Sequence, residues 1–180
     1  MVLQRGPQRA VVWSFSDSNE LTNLKIGEKV TWSVTLDPVY DEGPYDIQVS
    51  QPLINGTLVT ITIRDVLFGD VWLCSGQSNM QMTVREIFNA TTEMANAGKY
   101  PKIRLFTNAR TPSSTPVEES IQIIQNWSIA SSSSIGSYGW SYFSAVCWLY
   151  GRMIHEGLEG RPIGLIATSY GGTPIELWMP

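Results

Sequence analysis

Gly69-Asp-Val-Trp-Leu-Cys-Ser-Gly-Gln-Ser-Asn-Met80 decides how this chain is read. An apolar run, Val71-Trp-Leu-Cys74, leads straight into Gly76-Gln77-Ser78-Asn79-Met80, and residues at helical spacing follow. A strand that ends in a glycine-bearing turn before a helix places a serine hydroxyl at the carboxyl edge of a sheet, where a nucleophile is wanted. The competing reading of Ser78 is a helix N-cap.

Downstream of this stretch, strand and helix signals alternate. Residues 80–97 carry apolar positions at helical spacing, including Met82, Ile87 and Met94, and Lys102-Ile-Arg-Leu-Phe-Thr107 reads as a second strand. Residues 108–139 are rich in Ser, Thr and Pro, and within them Ile121-Gln-Ile-Ile124 reads as a local strand in a long surface excursion. Residues 141–158 form an amphipathic pattern with Phe143, Val146, Cys147, Tyr150 and Ile154 on one face. Ile163-Gly-Leu-Ile-Ala-Thr168 is a third buried strand, and Ser169-Tyr-Gly-Gly-Thr173 follows, with Pro174 opening a further helix. This alternation indicates an α/β fold with a doubly wound parallel sheet. The functional crevice of such a sheet lies at the carboxyl ends of its strands. There the loop with Gln77, Ser78 and Asn79 can meet the loop with Gly171, Gly172 and Thr173. Backbone N–H groups of Ser78 and of Gly171 or Gly172 would then suit a developing oxyanion, and Asn79 could add a side-chain donor.

Upstream, residues 1–66 read as a small all-β region of the sandwich or jelly-roll kind. Alternating or β-branched runs at 10–15, 29–36, 45–50 and 58–64 are separated by turn clusters such as Asp41-Glu-Gly-Pro44. The expected organisation is therefore an all-β region at 1–66 and an α/β region at 67–180.

The 180 residues carry a net charge of −4, 43% hydrophobic residues and no basic run, which argues against nucleic-acid binding. No apolar stretch approaches the ~20 residues that span a bilayer. The amino terminus does not resemble a signal peptide, which leaves a cytosolic form open. Three sequons, at Asn55, Asn89 and Asn126, instead hint at a secretory chain. The conflict resolves if the natural protein begins upstream of Met1. Two cysteines, Cys74 and Cys147, make no disulfide framework. They are expected as packed thiols, with a bridge between them left open. No metal-ligand spacing is present, and neither a metal nor a cofactor is expected. The sequence leaves the oligomeric state open.

The block at residues 69–84 closely resembles the nucleophile block of the sialate O-acetylesterases, carbohydrate esterases of the SGNH-hydrolase type. Phe143-Ser-Ala-Val-Cys-Trp-Leu149 and Pro162-Ile-Gly-Leu-Ile-Ala-Thr-Ser-Tyr-Gly-Gly-Thr-Pro-Ile-Glu176 resemble two further blocks, in the same order. Met1-Val-Leu-Gln4 resembles part of the family's amino-terminal β-region. The resemblance implies an SGNH-type fold with Ser78 as nucleophile and Gly171 or Gly172 in the oxyanion region. Gln77, Asn79, Thr173 and Glu176 are the implied substrate neighbours. The implied substrate is an O-acetylated sialic acid or sialoglycan, and the implied location of the whole family protein is lysosomal or secreted.

In that family the catalytic Asp and His lie well downstream of the Gly-Gly-Thr loop. His155, the one histidine, is expected beside Arg152 and Glu159 on the solvated side of its helix, away from the loop edge. Asp70 and Glu176 are near the loops in sequence, but a carboxylate alone is a poor base for a serine hydroxyl at neutral pH. The alternative expectation is thus a truncated, catalytically incompetent form with a sheet incomplete at its carboxyl end, at most a glycan-binding module.

Overall fold

The computed structural model describes residues 2–4, 39–52, 55–117, 119–136 and 143–179. The strands expected at 10–15 and 29–36 lie outside the described residues. The chain divides into two compact units, one of Gln4–Phe68 and one of Met1–Leu3 with Gly69–Pro180.

The strands are β1 (Val2–Gln4), β2 (Tyr45–Pro52), β3 (Leu58–Gly76), β4 (Ile103–Asn108), β5 (Ile123–Ile129) and β6 (Ile163–Ser169). In the unit of Gln4–Phe68, β2 pairs antiparallel with the first part of β3. Between the pairs Tyr45↔Val66 and Ile47↔Ile63 the register shifts. Asp65 sits there at φ 55°, so the ladder absorbs an extra residue as a bulge. The sequence suggested two separate strands here. The structure makes one, because Val66, Leu67 and Phe68 are buried and carry the extended backbone past the bulge.

The larger unit is α/β with a mostly parallel sheet, ordered β1-β3-β6-β4-β5. Strand β6 runs parallel to both β3 and β4, and a strand enclosed on both sides reads as a continuous apolar run rather than an alternating one. Ile163 and Leu165 on β6 and Ile103 and Leu105 on β4 are fully buried, and each such side chain contributes about 1.5–3 kcal/mol. Against them pack α2 (Ala90–Asn96), α3 (Ser132–Gly136) and α4 (Ala145–Gly157), through Met94 of α2, Ile135 of α3, and Ala145, Cys147 and Trp148 of α4.

Three local expectations are corrected. Residues 80–97 do not form one helix. The first piece, α1 (Ser78–Gln81), stops because Met82, Thr83 and Val84 pair with Phe143, Ser144 and Ala145. A 3-10 turn at Val84–Glu86 follows, closed by a Thr83–Glu86 capping box, before α2 begins.

The long Ser- and Thr-rich excursion contains a full strand, β5, antiparallel to β4. Its alternation was hidden by Gln125, which is buried. The Thr107 hydroxyl donates to its Oε1 at 3.2 Å, and its Nε2 donates to the Ser134 carbonyl at 3.0 Å.

Helix α4 starts at Ala145, with the Ser144 hydroxyl as N-cap accepting from the Cys147 N–H. Its buried face is Ala145, Cys147, Trp148, Gly151 and His155, whereas Val146 and Tyr150 are exposed. Gly151 is needed because a Cβ there would collide with Leu165 of β6. Among the described residues no helix is long and apolar enough to cross a membrane.

Candidate active site

Strands β3 and β6 end together: Gly76 pairs with Ser169, and the Tyr170 N–H donates to the Gly76 carbonyl at 2.9 Å. The two loops that follow therefore start from one edge, side by side. Gly76 has φ +144°, a backbone that favours glycine, and it turns the chain from strand into α1 within two residues. Gln77 holds the N-cap position, so Ser78 is the first helical residue rather than the cap. Its hydroxyl is exposed and donates to the Gln77 Oε1 at 3.0 Å.

Gly171 lies against Ser78. A Cβ added at Gly171 would sit 3.4 Å from Ser78 Oγ and 2.8 Å from Gln81 Oε1, so only glycine fits without displacing a neighbour. The Gly171 N–H donates to Gln81 Oε1 at 2.6 Å. That contact was not foreseen. It engages the donor that the sequence offered to an oxyanion, and it makes Gln81 the clasp between the two loops. The available signal was its position three residues after Ser78, which places both on one helix face.

Gly172, at φ +81°, is exposed one residue further along. Thr173 is occupied within its own loop: its hydroxyl donates to the Tyr170 carbonyl at 2.6 Å and accepts from Trp178 Nε1 at 2.9 Å. Asn79 is exposed beside Ser78 on α1. Glu176 is exposed in a 3-10 turn at Ile175–Trp178, where a longer helix after Pro174 was expected.

The turn is anchored from below. Cys74, four residues before Ser78, is joined to Cys147 of α4 by a disulfide. The expected pair of free thiols is thereby corrected. The two Cα atoms face each other 5.8 Å apart across the strand–helix contact, a distance a bridge spans. The end of α1 is held to the same helix start by the Ala145 N–H donating to the Met82 carbonyl at 2.8 Å.

His155 is not on the solvated face. It is 9% exposed, its Nδ1 donates to the Arg161 carbonyl at 2.6 Å, and its ring meets Tyr100 edge-on at 5.9 Å. The Tyr100 hydroxyl donates to Glu156 at 2.5 Å, and that hydrogen bond, with burial, raises its pKa above the usual phenol value. This cluster closes the carboxyl end of α4, where the chain turns into the start of β6. Asp70 lies at the same edge, paired with Arg161 at 3.2 Å. Asp70 and Gly76 bound the paired stretch of β3, so this edge lies ~20 Å from the Ser78 turn. Neither residue reaches Ser78.

Gln81 and Gly171 also line a cleft of ≈ 690 Å³, together with Ala109, Arg110, Thr111, Gln122, Ile124 and Tyr170. Ser78 is next to this lining, not part of it. The β4–β5 residues were missed because they fall in the stretch read as a surface excursion.

No protein-family model matches the chain. The sialate O-acetylesterases of Homo sapiens and Pongo abelii are each 43% identical to it, and that of Rattus norvegicus is 40% identical. These matches cover 99% of this chain and 35–36% of the relatives. A carbohydrate acetylesterase from Xanthomonas citri superposes with a TM-score of 0.72 at 26% identity, over 99% of this chain and 40% of that one. Along nearly its whole length, then, the chain is similar to the sialate O-acetylesterases, and it spans about a third of theirs.

Proposed function

We propose that this chain carries the nucleophile of a serine esterase that removes O-acetyl groups from sialic acids. The observation that carries the reading is the approach of Gly171 to the Ser78 hydroxyl on a shared strand edge, in a chain similar throughout to sialate O-acetylesterases. Ser78 Oγ attacks the acetyl carbonyl carbon, and the sugar oxygen leaves as a hydroxyl once it is protonated. Water then attacks the acetyl-serine, releasing acetate and restoring the serine.

As the first residue of α1, Ser78 has a backbone N–H without an intrahelical acceptor, a donor for the oxyanion. The second donor is the Gly172 N–H, or the Gly171 N–H once substrate displaces Gln81 Oε1. Asn79, Gln77, Thr173 and Glu176 surround the acetylated tail of the sugar. The Cys74–Cys147 disulfide and the exposure of Asn55, Asn89 and Asn126 support a secretory or lysosomal route and N-glycosylation of those three asparagines.

The test is acetate release from 9-O-acetyl-N-acetylneuraminic acid, compared between the protein and its Ser78→Ala variant. Removal of the nucleophile is expected to abolish release; an alanine variant that keeps most of the rate sinks the assignment.

A second reading is favoured by the position of His155 at the opposite edge. No imidazole within these 180 residues can deprotonate Ser78, so the chain by itself binds acetylated glycan without turnover, the base coming from elsewhere in a working enzyme. Loss of the base in a serine hydrolase costs several orders of magnitude. Turnover by the 180-residue chain at the rate of a full-length relative would refute this second reading.

A further inference from the structure

The cleft beside Ser78 has a charge pattern that goes beyond the acetyl chemistry. Arg110 is the one ionic side chain in its described lining, among Gln81, Thr111, Gln122 and Tyr170, in a chain of net charge −4. Both chain neighbours of Arg110 contact Gln122, one through its backbone and one through its side chain. The Ala109 N–H donates to the Gln122 carbonyl at 3.0 Å, and the Thr111 hydroxyl donates to Gln122 Oε1 at 3.4 Å. Both bonds are accepted by the residue that leads into β5, so the segment that carries Arg110 leaves β4 alongside the start of β5 on the carboxyl edge.

Across that edge, β4 and β3 are separated by β6 alone. Two strand spacings put the end of β4 ~10 Å from the Ser78 turn. The cleft volume lies within the range of small-molecule sites.

We propose that Arg110 is the specificity-determining residue of this site and binds the carboxylate of an acidic sugar whose acetylated end reaches Ser78. A nine-carbon sugar acid has its carboxylate at one end and its glycerol tail at the other, a separation of the same order as the ~10 Å between the end of β4 and the Ser78 turn. A guanidinium presents paired N–H donors to a carboxylate, which fixes orientation as well as charge. The Gln81 and Gln122 amides and the Thr111 and Tyr170 hydroxyls offer partners for the sugar hydroxyls and the amide between those ends. This proposal rests on the esterase reading for the identity of the tail, but its test does not depend on turnover.

The experiment is calorimetric titration of the 180-residue chain with N-acetylneuraminic acid and, separately, with its methyl ester, which lacks the charge. The acid is expected to bind about ten-fold more tightly than the ester, the worth of one charge-assisted contact. Arg110→Gln should bring the acid down to the affinity of the ester, and Arg110→Lys should keep part of the preference. Equal binding of acid and ester by the unaltered chain, no measurable binding of the acid, or a preference retained in Arg110→Gln would each overturn the role of Arg110. Retained acetate release in Ser78→Ala would instead overturn the esterase reading, so the two failures are told apart.

Discussion

Removing the disulfide by the double substitution Cys74→Ala and Cys147→Ala is expected to destabilise the fold around Ser78 more than any single surface change. The bridge closes a loop whose ends are 73 residues apart in sequence. Releasing a loop of that length returns about 4 kcal/mol of chain entropy to the unfolded state at 25 °C. Both cysteines are buried, Cys147 at 1% exposure, so the alanine pair also leaves a small void where the sulfurs packed. With a urea dependence of about 2 kcal/mol per molar, the unfolding midpoint should fall by roughly 2 M. Urea titration followed by tryptophan fluorescence measures this, since Trp148 is fully buried one residue from Cys147. Reduction of the unaltered protein should reproduce the shift. A double variant whose midpoint moves by less than a quarter of that amount would refute the reasoning. So would free thiols in the unreduced protein, found by alkylation and intact mass.

Three further outcomes follow from particular contacts. Gly171→Ala should place a methyl group against Gln81 Oε1, displace the clasp and lower acetate release in the working enzyme, with a stability loss of only about 1 kcal/mol; steady-state kinetics beside a thermal melt checks the split. Expression through a secretory pathway should add a glycan at each of Asn55, Asn89 and Asn126, all exposed, read as mass lost on enzymatic deglycosylation and abolished site by site by Asn→Gln. Because the folded-state pKa of Tyr100 is raised, chiefly by its bond to Glu156, its contribution is complete below the free phenol pKa of ~10 and is lost as pH rises through the folded value. Tyr100→Phe should therefore flatten the fall in melting temperature on the alkaline side, and an unchanged slope would count against the interaction.

Several features were legible from local sequence. The apolar run of β6, the turn at Gly76 and the glycine loop after β6 each announce themselves through residues adjacent in the chain. Parallel pairing then makes their convergence a near-necessity, because strands that run the same way end on the same edge. Other features were concealed for identifiable reasons. Gln125 is polar and buried, satisfied by Thr107 and Ser134, so β5 lost its alternating signature. His155 looked solvated because Arg152 and Glu159 share its helix end. It is buried because the next turn of chain brings the Arg161 carbonyl back onto its ring nitrogen. The helix after Ser78 was drawn too long because its apolar spacing continues. Its hydrogen bonds at Met82–Val84 are taken instead by residues 143–145, a partner sixty positions away.

The sequence by itself determined the alternation of strand and helix on either side of the Ser78 turn, the serine at the end of a parallel strand, and the glycine loop fit to face it. These depend on neighbours within a few residues, where propensity and spacing act. Only the tertiary structure decided which donor is already engaged, that Cys74 and Cys147 are joined, and that Arg110 shares a cleft with Gln81 and Gly171. Each of those facts is a meeting of segments far apart in the chain, fixed by strand register and helix packing rather than by any local preference.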